Sequence, residues 1–459
     1  MKKVLIWLIV LTFMASIMFV GTSCKAATVS TTTAAETTAA ETTAAETTAA
    51  AETTASAEPV KLVFIFQGGD PEEELYKKLV TENFTAKYPN ITVEFQTIPV
   101  ETFIQGLMPL VSGESQIDVI LSNLNVYRDL VSKGVATDLT DIVPYLKDRF
   151  IWNPMATSFY QIDNKTYSLP IEIPYTSGMF VNKKLFDKFN LTYPKTYQDF
   201  VNAGSIFTKN GIAPIAIAGK DAFYHAWYFN FVWDQVTGGK ANENLIKILK
   251  GEKKFTDQDV VDAVNLWVQF GKDNLFEKSF GSVNWDGITA LFIGGKAATI
   301  IDGNWDTSLY KDAAAKNPDL IELDFIPFPV VVEGATPPYV GGPGQSLIMY
   351  SKTKYPDESL KLMDFLTSSD VALQVAKDAS SPISPNVGVT APGDALDNKI
   401  VDAMQNTINF TGNFQPVDIE NLLGEKIAAV LAGVTTTKDA LNEVQQAFQK
   451  KLDEGYIFK

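Results

Sequence analysis

Apolar and polar positions divide this chain into three regimes. Val4 to Val20 is an almost uninterrupted apolar run behind Met1-Lys2-Lys3. Residues 25–58 carry almost nothing to bury; an Ala-Glu-Thr-Thr-Ala unit recurs there, with Glu36, Glu41, Glu46 and Glu52 in step and no aromatic residue. From Val60 onward, short β-rich runs alternate with stretches of helical spacing. Lys61–Phe66 reads as a strand closed by Gln67-Gly68-Gly69-Asp70-Pro71. Leu75, Leu79, Val80 and Phe84 recur at helical spacing through Glu72–Tyr88. Ile91–Phe95 predicts a second strand, Thr102–Ser112 a helix and Ile117–Leu121 a third strand. That alternation predicts an α/β fold with a mostly parallel sheet and right-handed crossovers. Such sheets bind ligands beyond the carboxyl ends of their strands, so Gln67–Asp70 and Ser122–Asn125 are the loops to watch.

Further along, Pro170 and Pro174 bracket an extended segment within Tyr167–Tyr175, because proline disfavours helix at the residue before it. A strand at Gly178–Val181 and a helix at Lys184–Phe189 follow. Helices near Tyr197–Thr208 and Asp257–Asp273 and a strand at Ala297–Ile301 make a second α/β region. Phe325–Pro329 is a second proline-marked extended segment. Gly341-Gly342-Pro343-Gly344-Gln345 then precedes a strand, Ser346–Tyr350, and helices at Pro356–Thr367 and Ala440–Leu452.

Composition narrows the chemistry. A chain of 459 residues exceeds the roughly 250–300 at which single cores stop growing, so two or more domains are expected. A formal charge of −16 argues against nucleic acid, which needs clustered Lys and Arg. His225 is the only histidine, which excludes multi-histidine zinc sites and leaves a Ser-His-Asp triad one histidine to use, inside the aromatic run Phe223–Tyr228. No phosphate-binding glycine loop is present. Asp302, Asn304 and Asp306 imitate the start of a calcium loop, but Thr307 and Ala313 stand where Gly and Glu are needed. No metal and no cofactor are expected.

The only cysteine, Cys24, sits where the apolar leader ends. It resembles the lipid-accepting residue of a bacterial lipoprotein, although such sites usually carry Leu where this chain has Gly21. Residues 1–23 then form a signal peptide and 24–58 a lipid-anchored disordered linker, reaching on the order of 30 Å as a flexible coil. Ordinary secretion with a free thiol is the alternative. Both readings place the folded part outside the cytoplasm.

The order of segments resembles the extracellular solute-binding proteins of bacterial ABC importers, specifically the carbohydrate-binding group that includes maltose-binding protein. The resemblance rests on Asp118–Asn123, Gly134–Leu139, Leu169-Pro170 with Met179–Lys183, Phe292–Trp305, the glycine loop at Gly341 and the Thr435–Gln449 helix. It implies two α/β lobes joined by crossover hinge strands: lobe one 60–172 plus 328–376, lobe two 173–327 plus 377–459. It further implies a non-enzymatic monomer, at the cell surface or in the periplasm, that clamps a mono- or oligosaccharide and delivers it to a permease.

A sugar site combines aromatic faces with a few placed polar groups in a cleft between domains. Trp305, after the strand Ala297–Ile301 and the turn Asp302-Gly303-Asn304, is the leading stacking candidate, and Trp227 is the second. Tyr224, His225 and Trp233 rank below them. Gln67 and Asp70 end the first strand's turn, where Asp70 is equally suited to capping a helix. Asn123 follows the third strand. Tyr175 lies just beyond the first connector, with Glu172 before it. Gly342 would let backbone approach a ligand, with Gln345 beside it, and Asp302 either accepts a hydroxyl or caps a turn. Two other classes stay open: a secreted carbohydrate-active hydrolase or lyase with two carboxylates across the cleft, and a binding protein for a non-sugar solute, whether polyamine, metal or peptide.

Overall fold

The structure is a computed structural model and describes residues 58–68, 72–150, 160–172, 175–342, 344–378, 384–389 and 393–458. The leader, Cys24, the Thr/Ala/Glu linker and Asp70 lie outside the described residues.

The strands, in chain order, are β1 (Val60–Gly68), β2 (Ile91–Pro99), β3 (Val119–Ser122), β4 (Gln161–Ile162), β5 (Lys165–Thr166), β6 (Leu169–Pro170) and β7 (Tyr175–Asn182). After them come β8 (Ala213–Ala216), β9 (Ala297–Gly303), β10 (Leu323–Ile326), β11 (Tyr339–Gly342), β12 (Ser346–Met349) and β13 (Thr407–Asn409). They build two main sheets, one in each lobe, and β4–β5 is a separate hairpin. The first sheet runs β2-β1-β3-β12-β6, and β1 is parallel to both β2 and β3, as the strand–helix–strand pattern requires. β1 is buried on both faces, so its run is continuously apolar rather than alternating. Leu62, Phe64 and Phe66 pack into one core with Leu347, Met349, Leu362 and Met363, while Val63 and Ile65 face the other side with Phe103 and Leu107. The helical stretch expected over Glu72–Tyr88 ends at Lys87 and contains a π-helical turn at Val80–Phe84.

The second sheet runs β13-β11-β7-β9-β8, with β10 also paired to β7. Its helices include Tyr197–Lys209, held at its start by a reciprocal Thr196–Asp199 capping box. The Ala222–Val236 helix, packed against the Val417–Leu431 and Gln258–Lys272 helices, is buried from Tyr224 through Gln235, which explains a run apolar on every side.

Both lobes exist, yet two of the expected boundaries move. Phe325–Pro329 is no crossing: Leu323–Ile326 pairs antiparallel with β7 inside the second lobe. β11 also joins that sheet, through Val340 opposite Ser177 and Gly342 opposite Tyr175, so the chain crosses back to lobe one between Gly342 and Ser346 rather than at 327–328. The third crossing falls later than 376–377. Asn386 Nδ2 still donates to Thr367 O at 2.7 Å and Val387 N to Arg149 O at 2.8 Å, both within lobe one. The Ala395–Met404 helix then packs on the second sheet, with Lys311 bridging Asp394 at 2.9 Å. β6 ends at Pro170 in the first sheet and β7 begins at Tyr175 in the second, so the first crossing falls between those two residues.

Candidate functional site

On the lobe-one side the carboxyl end of β1 meets the end of β3 and the start of β12. Asn123 N donates to Gln67 Oε1 at 2.7 Å, and Gln345 Nε2 donates to Gln67 O at 3.4 Å. Gln345 also ties down the first crossing: its carbonyl accepts from Ile171 N at 3.1 Å and Glu172 N at 3.3 Å. Its own N–H donates to Glu172 Oε2 at 3.2 Å. The sequence candidates Gln67, Asn123 and Gln345, together with Glu172, are therefore one hydrogen-bonded group. Gln67 and Gln345 are buried, while Asn123 and Glu172 keep some exposure.

On the lobe-two side the candidates are aromatic. Trp305 sits in a single helical turn, Asn304–Asp306, directly after β9, and its indole folds back over Gly303. A Cβ at position 303 would lie 2.1 Å from that ring, so only glycine leaves the indole its place. Tyr175 meets Trp305 edge-on at 5.7 Å between centroids, and Trp227 lies 5.5 Å from it. Trp285, which no local pattern singles out, stands 6.3 Å from Trp305 and stacks on Tyr224 at 4.8 Å. Trp285 and Trp305 are half-buried and Trp227 is buried, so the wall has a wet face and a packed base. Its orientation is set from behind: Trp285 Nε1 donates to Asp306 Oδ2 at 3.0 Å, and Thr176 N donates to Asn304 Oδ1 at 2.7 Å.

Asp302 is placed differently from a hydroxyl acceptor. It is fully buried, and its carboxylate accepts from Gly303 N at 2.6 Å and from the Tyr310 hydroxyl. Burial, then the neighbouring Asp306 carboxyl, pushes Asp302 well above the usual carboxylate range. Burial raises Asp306 as well. This pair holds the turn that carries Trp305. His225 is also interior, its Nε2 lying 2.9 Å from Gly219 O, and Trp233 donates to Asp259 Oδ2 at 3.2 Å. Neither joins the aromatic wall.

Chain connectivity brings the two groups together. Glu172 and Tyr175 are three residues apart across the first crossing, and Gly342 and Gln345 are three apart across the second. Three residues span at most about 11 Å between Cα atoms, so each crossing sets a polar partner within a sugar's length of the aromatic side. Gly342 packs against the second lobe: a Cβ there would lie 2.4 Å from Asn413 Nδ2 and 3.2 Å from the Tyr175 hydroxyl oxygen. Asn413, another residue the sequence did not single out, donates to that hydroxyl at 3.3 Å. Among the described residues, no group of three or more His, Cys, Asp or Glu is placed to hold a metal ion, and no helix is long and apolar enough to cross a membrane.

Residues 69–373 match the sequence profile of the family described as bacterial extracellular solute-binding protein. A binding protein of Brucella abortus (strain 2308) is 26% identical over 299 residues, covering 64% of this chain and 69% of that protein. The multiple sugar-binding protein of Streptococcus mutans is 23% identical over 333 residues, 67% of this chain and 74% of that one. A solved structure from work on xylan utilization by the thermophilic bacterium Caldanaerobius polysaccharolyticus superposes with a TM-score of 0.74 at 20% identity. It covers 84% of this chain and 100% of that chain, a likeness of fold.

Proposed function

Because the chain belongs to the bacterial extracellular solute-binding protein family, we propose that it is a non-catalytic receptor for a mono- or oligosaccharide, which it takes up between its lobes and hands to the permease of an ABC transporter. One observation carries this reading: the Tyr175–Trp227–Trp285–Trp305 wall stands one short crossing from the Gln67–Asn123–Glu172–Gln345 polar group. Aromatic faces take the C–H patch of a sugar ring and the amides and carboxylate take its hydroxyls. The sugar binding in the name of the Streptococcus mutans relative supports the same class. Hinge motion at the crossings would couple capture to closure, since a ligand shifts the lobes only by binding the closed form better. Lipid on Cys24 would hold the protein at the membrane, with residues 25–58 as a tether.

The test is a thermal-shift and calorimetric panel of raffinose, stachyose, maltotriose and xylotriose on the purified protein. A true ligand at a hundredfold its Kd stabilises by about 2.7 kcal/mol and is recovered chemically unchanged. Stabilisation by spermidine and by no saccharide would sink the sugar reading, and a cleaved saccharide would sink the receptor reading. For the anchor, Cys24→Ser should move the protein from the membrane fraction to the medium or periplasm.

A further inference from the structure

The buried acids of the second lobe nearly all have visible partners. Asp302 has Tyr310 and Gly303, Asp306 has Trp285, and Asp397 has Lys311. Glu420, in the first turn of the Val417–Leu431 helix, is different. It is 0% exposed, and neither carboxyl oxygen has a hydrogen-bond partner among the described residues. Native proteins rarely leave such a group without a purpose.

Its surroundings point to the cleft. A Cβ at Gly412 would lie 2.0 Å from Glu420 Oε1, so position 412 is open to admit the carboxyl. The next residue is Asn413, bonded to Tyr175 and pressed against Gly342, where the second crossing leaves the lobe. Half-buried Tyr175 borders this corner, touching Asn413 and Gly342, and senses the Glu420 charge. From lobe one, Asp129 of the Leu124–Ser132 helix acts on Glu420 with the same sign of charge. Burial first and Asp129 second push the carboxyl up to about 8, so it keeps its proton at neutral pH. A neutral carboxyl donates one hydrogen bond and accepts others, and a hydroxyl does the same. An ammonium group offers only donors.

We propose that Glu420 is a ligand-contacting residue at the inner end of the cleft, its carboxyl exchanging hydrogen bonds with a hydroxyl of the bound molecule in the Tyr175–Asn413–Gly342 corner. The choice of a hydroxyl rests on the saccharide reading above; contact itself does not.

The experiment measures Kd by calorimetry for the full chain, Glu420→Gln and Glu420→Leu. The probes are raffinose, stachyose, maltotriose, xylotriose and spermidine, and each apo melting temperature is recorded. Glu420→Leu should weaken the saccharide that binds at least tenfold while its melting temperature holds or rises. Glu420→Gln, which keeps a donor and an acceptor, should stay within about threefold. Should Glu420→Leu fail to fold, pH decides. Wild-type Kd should rise several-fold between pH 7 and 9, as Glu420 loses its proton, and that of Glu420→Gln should not. Tyr175 stays neutral across this range because burial raises it. A folded Glu420→Leu protein binding within twofold of wild type overturns the proposal, as do parallel pH profiles. Binding of spermidine alone removes the sugar reading and leaves the same comparison to be made on spermidine. A wild type that binds nothing in the panel overturns both.

Discussion

Raising the pH from 5 to 9 should destabilise the apo protein through Glu420. Its carboxyl moves from an ordinary 4.5 to about 8 on folding, with burial the main cause and Asp129 the second. Between those two values the folded state holds a proton that the unfolded chain has released. Stability from this group is thus fully present below 4.5 and is lost as pH rises through 8. Each pH unit corresponds to about 1.4 kcal/mol, so the span from pH 5 to 8 amounts to about 4 kcal/mol. Above 8 both states are ionised and the slope ends. Other groups act in the same experiment. Asp234, raised to about 6 by burial, adds a slope of the same sign at lower pH. His225, lowered by burial, adds the opposite sign, because acid must charge it only in the unfolded chain.

The difference between wild type and Glu420→Gln cancels those contributions. Guanidinium unfolding at pH 5, 6, 7, 8 and 9, at constant ionic strength, gives the unfolding free energy of each protein. The wild-type value minus that of the variant should fall by about 4 kcal/mol between pH 5 and 8, then level off. A difference that stays flat from pH 5 to 9 refutes the reasoning, since it means that Glu420 ionises alike in both states.

Trp305→Ala should weaken saccharide binding by about 1–3 kcal/mol, read by calorimetry, with the melting temperature of the apo protein little changed; unchanged affinity would make Trp305 a packing residue. Gly303→Ala should also weaken binding while sparing the fold, because the added methyl meets the end of the Trp305 ring, which is free to swing away. Gly424→Ala should do the reverse. Its Cβ would lie 1.9 Å from the Ala222 backbone oxygen, prying apart the Val417–Leu431 and Ala222–Val236 helices and costing about 1–3 kcal/mol in denaturant unfolding.

Much of the fold was legible because local pattern and final environment agree. β1 and β3 are apolar runs, as parallel strands covered on both faces require, and β2 at the sheet's edge alternates apolar with polar residues. Proline was the less faithful guide. Pro170 and Pro174 do mark a crossing, but Pro327 and Pro329 follow the end of β10, where a residue without an N–H terminates pairing. The second crossing is marked by glycine. A Cβ at Gly341 would lie 2.0 Å from Tyr175 O, so glycine lets β11 close against β7 just before the chain leaves the lobe. A glycine run that reads as a ligand loop is also a packing requirement, and sequence alone does not separate the two.

The candidate site was legible only where its chemistry follows from one strand and its turn. Trp305 belongs to that kind: a buried strand, a glycine and a tight turn determine where the indole goes. Trp285 does not, because it reaches Trp305 through Asp306 and a helix twenty residues earlier in the chain. Asp302 looked available because its partner, Tyr310, is supplied by the following helix. Glu420 is the extreme case. In sequence it is one acid among several on a helix, and it becomes a buried, unpartnered acid only when Gly412 and the second lobe's own packing enclose it and the Leu124–Ser132 helix of lobe one brings up Asp129. Burial is what raises the value of a polar group, since an unpaired acid is harmless in water and expensive inside. The residues that a ligand would most reward are therefore those whose neighbours come from far along the chain, which local patterns cannot announce.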